Sequence, residues 1–400
     1  MPGTRICSAS LACAWSTGSK RSRACSTLRF SPRRFRRVRR SGSHRTARGS
    51  SRTAESQRQV RCDSERQRFR LRSRRVSMAV AYGVDLEAFN AQGFLVVENV
   101  LDPRLDLDPV VGEYEALLDE LTQRWHEDGL LPETFRELPF AQRFGRVLNE
   151  APRDLNVMAH FDISLPFEGV TEDTPIHLGP RTFGLLTHPK LLDLIEQFIG
   201  GEIYSNPIQH TRIKPPEREL PEHLQGSSLL ARTDWHQDQG VHLPEADHTN
   251  MLTVWLPLTD ATADNGCLCV IPGSHREGLV THCLRPGARI PDALLSGQPI
   301  TVPVKRGGVL LFHHLTKHAS LTNTSNGIRW SFDLRYHPVD QPTGRPAFPG
   351  FVARSRKNPA SAITDWRVWA KLWRDTRSRL AQAQAAGKFT RWTSEEPICA

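Results

Sequence analysis

Residues 329–336 read RWSFDLRY, an alternation of polar and apolar side chains that decides the predicted fold. Successive residues of a β-strand point to opposite faces of the sheet, so this segment is predicted to be a strand with one polar and one apolar face. An antiparallel sheet whose polar face is exposed to water gives the same pattern. Because the segment follows a turn that contains histidines, we favour a barrel strand with a polar interior and an apolar exterior covered by helices. The two faces carry Arg329, Ser331, Asp333 and Arg335 on one side and Trp330, Phe332, Leu334 and Tyr336 on the other.

Short apolar runs separated by Pro, Gly and Asn fill most of the chain after residue 202. Several short strands with turn residues between them are typical of a sandwich or a barrel. We therefore predict a mainly β protein with flanking helices. The runs are EIYSNPIQHTRI (202–213), MLTVWLPL (251–258), GCLCVIPGS (266–274), ITVPV (300–304), GGVLLFHH (307–314) and IRWSFDLRY (328–336).

Helical periodicity marks three segments that are predicted to pack outside the sheets. Residues 109–126 combine apolar residues at helical spacing with many charges, as surface amphipathic helices do. Residues 188–201 form a second helix, which ends at glycines in the C-cap position. Residues 363–386 form the last one, and its stripe of three tryptophans is predicted to pack against the sheet rather than bind a cofactor. Residues 215–232 form a long polar loop of the kind that often covers a site.

The basic character of the chain is confined to residues 1–77. This segment holds 22 of the 53 Lys and Arg residues but three of the 43 acidic ones, so residues 78–400 carry a net charge of −9. An Arg- and Ser-rich segment without apolar periodicity cannot bury enough surface to fold, so we predict a disordered tail at 1–77 and a single domain at 78–400. The tail resembles an organelle transit peptide or a nucleic-acid-binding arm, or it is upstream sequence outside the natural protein. We expect a cytoplasmic protein if Met78 is the working start, and a mitochondrial or plastid one if the tail is a transit peptide.

The cysteines and the hydropathy exclude several classes of protein. No CxxC pair occurs, so neither a zinc ribbon nor a thioredoxin-type site is indicated. Cys267 and Cys269 share one face of a predicted strand, whereas Cys283 and Cys399 are isolated, and reduced thiols are predicted, as in an intracellular protein. No run of about 18 apolar residues is present, so no membrane span is predicted.

A histidine and an aspartate two residues apart, in WHQDQG at 235–240, indicate a candidate site. Side chains at i and i+2 of a strand share a face, where His236 and Asp238 could bind a metal, form a charge relay or make a solvated hydrogen bond. A mononuclear non-haem iron site needs two histidines and one carboxylate on one face, so a distant strand must supply the third ligand. His318 is favoured for that role. The other histidines are predicted to lie outside the ligand set: His313 and His314 at a strand end, and His242, His248, His275 and His282 in solvated loops.

Arg329 strengthens the choice of His318, because it lies eleven residues later at the start of the next predicted strand. A ligand histidine, a turn and then an arginine place a fixed cation near the metal. A guanidinium group holds a carboxylate through two parallel hydrogen bonds.

The order of these motifs resembles the phytanoyl-CoA dioxygenase family of iron(II)- and 2-oxoglutarate-dependent oxygenases, which are built on a double-stranded β-helix of the jelly-roll or cupin type. The resemblance covers roughly residues 85–340, with NGCL…IPGSH and the H-x-D…H…R order as its most specific parts. It implies that His236, Asp238 and His318 bind iron and that Arg329 grips the distal carboxylate of 2-oxoglutarate. It also places Trp255 and Ser320 in contact with the cosubstrate. Lys214 stands where the family often has asparagine. On the same strand as Lys214, His210 and Arg212 share one face and are predicted to point toward the substrate.

The resemblance implies an enzyme that uses Fe(II), 2-oxoglutarate and O2 to hydroxylate a small organic molecule, an acyl-CoA or another metabolite, releasing succinate and CO2. A nucleic-acid alkylation-repair dioxygenase and a non-catalytic β-barrel binding module are the alternatives, and the oligomeric state is left open. The repair enzymes use an R-x5-R pair, which Arg329 and Arg335 satisfy. The acidic body and the 82-residue gap from His236 to His318 disfavour nucleic acid. For a small-molecule enzyme we expect Arg335 near the other end of the barrel, bonded to Asp333 or to backbone.

Overall fold

The structure is a computed structural model that describes residues 83–284, 288–383, 390–393 and 395–399. The predicted tail, 1–77, lies outside the described residues, and its disorder stays a prediction. Within the described part of the chain, no helix is both long and apolar enough to cross a membrane.

Ten antiparallel strands form two sheets in the described part of the chain. They are β1 (Phe94–Val97), β2 (Glu202–Ser205), β3 (His210–Lys214), β4 (Leu252–Pro257), β5 (Leu268–Val270), β6 (Ile300–Val302), β7 (Val309–His313), β8 (His318–Ser320), β9 (Arg329–Pro338) and β10 (Phe351–Ser355). The larger sheet has the order β1-β7-β4-β9-β2-β10, with β3 also paired to β9, and the smaller has the order β6-β5-β8. The prediction of a mainly β protein with flanking helices is confirmed.

The strand β9 lies in the middle of the larger sheet and joins its parts. One edge pairs with β4, from Leu252 opposite Tyr336 to Pro257 opposite Ser331. The other edge pairs with β3 and then with β2. The alternation read from the sequence is present: Trp330, Phe332, Leu334 and Tyr336 belong to the main apolar core, and Arg329, Asp333 and Arg335 line a cavity on the opposite face.

Two apolar clusters hold three layers together, and burial of such side chains is the main favourable term in folding. The larger cluster packs the helices against the outer face of the larger sheet. The smaller cluster fills part of the space between the sheets, with Trp255 and Phe312 from the larger sheet packed with Leu268 and Val302 from the smaller one. The cavity therefore lies between two sheets that are themselves fixed by apolar packing.

Among the described residues, six α-helices cover the outer face of the larger sheet or flank it. In α2 (Asp108–Glu127) the buried residues Val110, Tyr114, Leu118 and Leu121 recur at helical spacing, and the Tyr114 hydroxyl forms a 3.0 Å hydrogen bond with Thr211 Oγ1 on β3. In α6 (Trp366–Gln382) two of the three tryptophans are buried: Trp369 contacts the ring of Phe183 on a neighbouring helix, and Trp373 contacts Phe348 in the loop before β10. They pack in the core as predicted, although these ring contacts are with a helix and a loop rather than with a strand. The helices are α1 (Leu86–Gln92), α2 (Asp108–Glu127), α3 (Phe140–Glu150), α4 (Pro180–Leu186), α5 (Pro189–Ile199) and α6 (Trp366–Gln382).

The prediction of reduced thiols is wrong for one pair of cysteines, because Cys283 and Cys399 form a disulfide across 116 residues of sequence. Cys267 and Cys269 are free and buried, as predicted. The two linked cysteines look isolated in the sequence because only the folded chain brings them together. The disulfide fastens the last described segment, residues 390–393 and 395–399, which we call the C-terminal strap.

The C-terminal strap lies against the segment that carries Asp238. The indole Nε1 of Trp392 donates to the carbonyl oxygen of Gly240 at 2.6 Å, and its ring stacks on His282 with 5.1 Å between centroids. Arg391 forms two hydrogen bonds with the carboxylate of Asp247, one of them 2.8 Å from Nη2 to Oδ2. The strap thus packs on the outside of the candidate site.

Loss of this disulfide is expected to destabilise the domain. A cross-link that closes a loop of this length restricts the unfolded chain, and removing a native disulfide typically costs about 2–5 kcal/mol. Urea unfolding of the wild type and of Cys399→Ser should show that difference in the free energy of unfolding. Dithiothreitol should lower the stability of the wild type but not that of Cys399→Ser; equal stability of both proteins without reductant would contradict the expectation.

Candidate metal centre

His236, Asp238 and His318 lie together at the cavity between the sheets. His236 and His318 pair across an isolated antiparallel bridge, with reciprocal backbone hydrogen bonds of 2.9 and 3.0 Å. Asp238 begins a short 3-10 turn, Asp238–Val241, so the strand expected around it is reduced to the bridge at His236. One donor atom from each residue falls within 4.8 Å of the others, and Asp238 Oδ1 is 3.9 Å from Nε2 of both histidines.

Both histidines have a tautomer that suits metal binding through Nε2. The Nδ1 hydrogen of His236 is donated to the carbonyl oxygen of Asp234 at 2.8 Å, and that of His318 to Thr316 at 3.0 Å. A ring nitrogen held in this way leaves the other nitrogen with a free lone pair. Burial lowers the pKa of both imidazoles, so they stay neutral.

Asp238 is an ionised carboxylate although its side chain is fully buried. Burial alone would raise its pKa, but the charge and hydrogen bond of Arg335, together with the two neighbouring imidazoles, outweigh this and hold the pKa of Asp238 well below its usual range. Arg335 Nη2 donates to Asp238 Oδ1, and the Thr253 hydroxyl donates to Oδ2 at 2.5 Å. The expected position of Arg335 is therefore wrong: its second hydrogen bond does reach backbone, the carbonyl of Ile208 at 2.7 Å, but its charge faces the centre rather than Asp333.

Two histidines that were expected in solvated loops are buried behind the centre. His282 Nε2 accepts the backbone hydrogen of Gln237 at 2.9 Å, and His242 Nδ1 donates to the carbonyl of Asp238 at 2.7 Å. These bonds fix the backbone between and after the two candidate ligands. The expectation of solvation fails because loops that fold back over a site bury their polar groups, whereas His248 is exposed as predicted.

His313 and His314 lie outside the ligand group, as predicted. His314 is buried, and its Nδ1 donates to the carbonyl of Met251 at 3.0 Å. His313 is partly buried, and its Nδ1 accepts the backbone hydrogen of Leu315 at 3.1 Å. Neither belongs to the group of donor atoms that can hold one metal ion.

A second set of polar groups faces the same cavity and consists of hydrogen-bond donors. Arg329 is fully buried; its Nη1 donates to Ser331 Oγ at 2.7 Å, while Nε and Nη2 have no partner among the described residues. Nε1 of Trp255 also lacks a described partner, and its ring lies 5.4 Å from the Arg329 guanidinium. Buried donors without acceptors are costly, so the set fits an anion that arrives with the substrate or cosubstrate.

Lys214 and Ser320 adjoin this donor set. Nζ of Lys214 donates to Ser320 Oγ and to Thr233 Oγ1, both at 2.8 Å, and the backbone N–H of Thr233 also donates to Ser320 Oγ at 2.9 Å. With both lone pairs of Ser320 engaged, its hydroxyl hydrogen is left to donate toward the cavity. Ser320 lines the cavity and Lys214 lies behind it, where burial and the charge of Arg329 hold the pKa of Lys214 well below its usual value.

His210 and Arg212, the predicted substrate residues, differ in their position. Arg212 lines the cavity. Its Nε donates to Asp333 Oδ2, and its Nη1 donates to the carbonyl oxygen of Ser228 at 2.7 Å. His210 is not among the cavity residues, and its Nδ1 contacts Asp162 Oδ2 at 2.9 Å. Asp333 was singled out only as a member of the polar face; its Oδ1 is buried without a described partner.

The donor chemistry of the centre fits a divalent iron ion. Two neutral imidazole nitrogens and one carboxylate oxygen on one side, with a cavity on the other, are the ligand set of non-haem iron oxygenases. The residues that would hold iron are His236, Asp238 and His318. When bound, iron with a 2-oxo acid supplies oxidising power, and the protein's part is to position the groups and exclude water.

The sequences of known proteins also indicate an iron- and 2-oxoglutarate-dependent oxygenase. The phytanoyl-CoA dioxygenase (PhyH) family model matches residues 89–331, more than half of the chain. Phytanoyl-CoA dioxygenase domain-containing protein 1 of Danio rerio is 26% identical over 270 residues, which cover 63% of this chain and 88% of that protein. The 1-deoxypentalenic acid 11-beta-hydroxylase of Streptomyces arenae is 30% identical over 191 residues, covering 44% and 64%.

Solved structures also align with part of this chain. The crystal structure of EvdO2 from Micromonospora carbonacea var. aurantiaca complexed with 2-oxoglutarate matches with a TM-score of 0.39 and 22% identity, over 66% of this chain and 94% of that one. The family expected from WHQD, NGCL…IPGSH and the later histidine and arginine is confirmed by the family model. The chain belongs to the phytanoyl-CoA dioxygenase family and is a 2-oxoglutarate-dependent iron oxygenase.

Proposed function

We propose that the enzyme hydroxylates a C–H bond of a small organic molecule, an acyl-CoA or another metabolite, while 2-oxoglutarate is converted to succinate and CO2. The observation that carries this proposal is that the candidate iron ligands and the buried donors face one cavity. His236, Asp238 and His318 hold iron. Arg329 binds the distal carboxylate of 2-oxoglutarate, assisted by Trp255 and Ser320.

The two-sheet arrangement supports a jelly-roll fold, the double-stranded β-helix of the predicted type. In that fold the larger sheet and the three-stranded sheet are the two halves of one barrel. The iron ligands then come from the rim where the halves meet. A crystal structure that left the cavity outside the two sheets would contradict this assignment.

The substrate side of the cavity is assigned to Arg212 and Asp333, whereas His210 does not line the cavity. Asp333 Oδ1 is buried and lacks a described partner, so a hydroxyl or ammonium group on the substrate is the complementary donor. A carboxylate oxygen repels the cosubstrate's carboxylates, which leaves this position to the substrate. Both Arg212 and Asp333 line the cavity.

Succinate release in the presence of candidate metabolites tests the proposal. The purified protein is supplied with Fe(II), 2-oxoglutarate and O2, and each metabolite is scored by the succinate it releases above the background without it. Asp238→Ala serves as the matched control. Iron and 2-oxoglutarate that bind without any succinate release above that control would favour the binding-module alternative.

Nucleic-acid alkylation repair is the second candidate. The R-x5-R pair Arg329 and Arg335 favours it, and so does the position of Arg335 at the centre rather than at the other end of the barrel. Against it, the net charge of −9 on residues 78–400 opposes the phosphate contacts that dominate nucleic-acid affinity. We expect methylated oligonucleotides to leave succinate release unchanged. Stimulation by methylated but not by unmethylated DNA would overturn this choice.

The cosubstrate role of Lys214 can be tested through Ser320. Because Lys214 donates to Ser320 Oγ, its replacement in Lys214→Met is expected to raise the 2-oxoglutarate requirement by roughly three- to tenfold. If the lysine acts through Ser320, Lys214→Met and Ser320→Ala will not be additive in a double-mutant cycle. Additive effects in 2-oxoglutarate titrations would instead make Lys214 an independent contact.

The location of the enzyme is proposed from the sequence alone. We propose a cytoplasmic enzyme if translation starts at Met78 and a mitochondrial or plastid enzyme if residues 1–77 act as a transit peptide. Fluorescent fusions of the full chain and of residues 78–400 distinguish the two. Identical distributions would remove the transit-peptide interpretation.

A further inference from the structure

The carboxylate of Asp238 is held at both oxygens, which a buried metal ligand does not by itself require. Oδ1 is the oxygen that faces both histidines, at 3.9 Å from each Nε2. Oδ2 accepts the hydroxyl hydrogen of Thr253 at 2.5 Å. Asp238 lies in a 3-10 turn rather than in a strand, so ladder hydrogen bonds do not set its side chain, and these contacts do.

Thr253 and Arg335 are neighbours in the larger sheet. They are paired residues of β4 and β9, and both side chains point into the cavity. Arg335 reaches Asp238 Oδ1 with Nη2, while its Nη1 is tied to the carbonyl of Ile208 at 2.7 Å. A hydroxyl and a guanidinium on adjacent strands therefore present two fixed donors to one carboxylate.

The burial of these groups makes the two contacts strong. The side chains of Asp238 and Arg335 are 1% and 4% exposed, so little water competes for the carboxylate. Charge-assisted hydrogen bonds are about twice as strong as neutral ones, and partners behind a ligand commonly set its orientation. A carboxylate with both oxygens free binds a metal through one or two of them. With Thr253 on Oδ2, only Oδ1 is left to face the histidines.

We propose that Thr253 and Arg335 are positioning residues for Asp238: Thr253 engages Oδ2, and Arg335 fixes the direction of Oδ1. One oxygen is thereby left to bind the metal, and a coordination position stays free for 2-oxoglutarate. The inference rests on the proposed iron and 2-oxoglutarate chemistry. The proposal predicts different effects on the affinities for Fe(II) and for 2-oxoglutarate when the restraint is removed. Without the restraint, both oxygens of Asp238 bind the metal, so iron is held as well or more tightly while 2-oxoglutarate binds more weakly.

Thr253→Val is the main test, because valine replaces the hydroxyl with a methyl group of similar size. Fe(II) affinity is measured by anaerobic calorimetry, and 2-oxoglutarate affinity by the visible absorption that appears when the keto acid joins the bound metal. We expect 2-oxoglutarate affinity to fall about tenfold or more, the loss of one hydrogen bond to a charged group, with Fe(II) affinity unchanged or higher. Thr253→Ser keeps the hydroxyl and should restore the wild-type values.

Arg335→Met provides a second variant with a matched control. Arg354→Met changes the same residue type on β10, where the guanidinium pairs with Asp193 and Glu196. Arg335→Met is expected to weaken 2-oxoglutarate binding without weakening Fe(II) binding, whereas Arg354→Met should alter neither affinity. Thermal unfolding of each variant reports any general loss of stability separately.

Three results would overturn the proposal: wild-type 2-oxoglutarate affinity in Thr253→Val, equal losses of both affinities in that variant, or no recovery in Thr253→Ser. Parallel losses would mean that Thr253 only supports the fold. If the wild type binds neither Fe(II) nor 2-oxoglutarate, the proposed function itself fails, and the failure is seen before any variant is compared.

Discussion

Alanine in place of His236, Asp238 or His318 is expected to abolish Fe(II)-dependent succinate release. Each residue supplies one of three donor atoms within 4.8 Å of one another, and two donors do not hold the ion in a fixed geometry. The measurement is succinate formation at saturating 2-oxoglutarate with added Fe(II), together with Fe(II) affinity by calorimetry. All three variants should lose both.

His313→Ala and His314→Ala are the matched controls for this prediction. Both residues adjoin the centre in sequence, but their described ring contacts are with backbone groups and neighbouring imidazoles. They should retain metal binding and lose activity only as far as stability falls. An active His318→Ala beside an inactive His314→Ala would show that the third ligand is wrongly assigned.

Arg329→Ala is expected to raise the 2-oxoglutarate requirement by roughly a hundredfold or more. Breaking a buried, hydrogen-bonded charge pair costs about 3–5 kcal/mol, and each 1.4 kcal/mol corresponds to about tenfold in affinity. Arg329 is fully buried and has two nitrogens without a described partner, so an anion is the natural complement. Burial also lowers the pKa of Arg329 to about 10, which leaves it protonated at neutral pH.

Arg329→Lys tests whether 2-oxoglutarate binding needs the two parallel hydrogen bonds of a guanidinium group or only a positive charge. An ammonium group retains the charge but cannot make two parallel hydrogen bonds, so only part of the affinity should return. Fe(II) affinity should be unchanged in both variants, since Arg329 is not one of the candidate ligands. A 2-oxoglutarate titration of Arg329→Ala that matched the wild type would remove this residue from the cosubstrate site.

The parts of the site that could be predicted from the sequence are those that depend on the spacing of residues close together in the chain. The alternation in β9 correctly assigned its two faces, and the His236–Asp238 pair with a distant His318 gave a group that the fold brings together. Most of the short strands were found because each is an apolar run bounded by turn residues, but β10 lies in none of the predicted runs. The three-residue strand β8 is not among the predicted apolar runs, because it is too short to show a period; a strand at His318 was expected only from its role as the third ligand.

The parts that could not be predicted depend on which distant residues meet. Arg335 was correctly placed on the polar face of β9, but its partner, Asp238, is 97 residues away. The contact of His282 with Gln237 and the Cys283–Cys399 disulfide likewise depend on loop paths that no periodicity encodes. A polar residue in a loop looks solvated in a sequence until the structure shows what folds over it.

The two-faced strand β9 makes the protein unequally tolerant of two kinds of genetic change. A substitution within it alters one side of the sheet, so core and cavity can vary one residue at a time. An insertion or deletion of a single residue inside β9 shifts every following side chain to the opposite face. It would send Asp333 and Arg335 among the helices and Phe332 and Tyr336 into the cavity, losing fold and chemistry together. Length variation among relatives should therefore concentrate in segments such as 215–232 and be absent from 329–338.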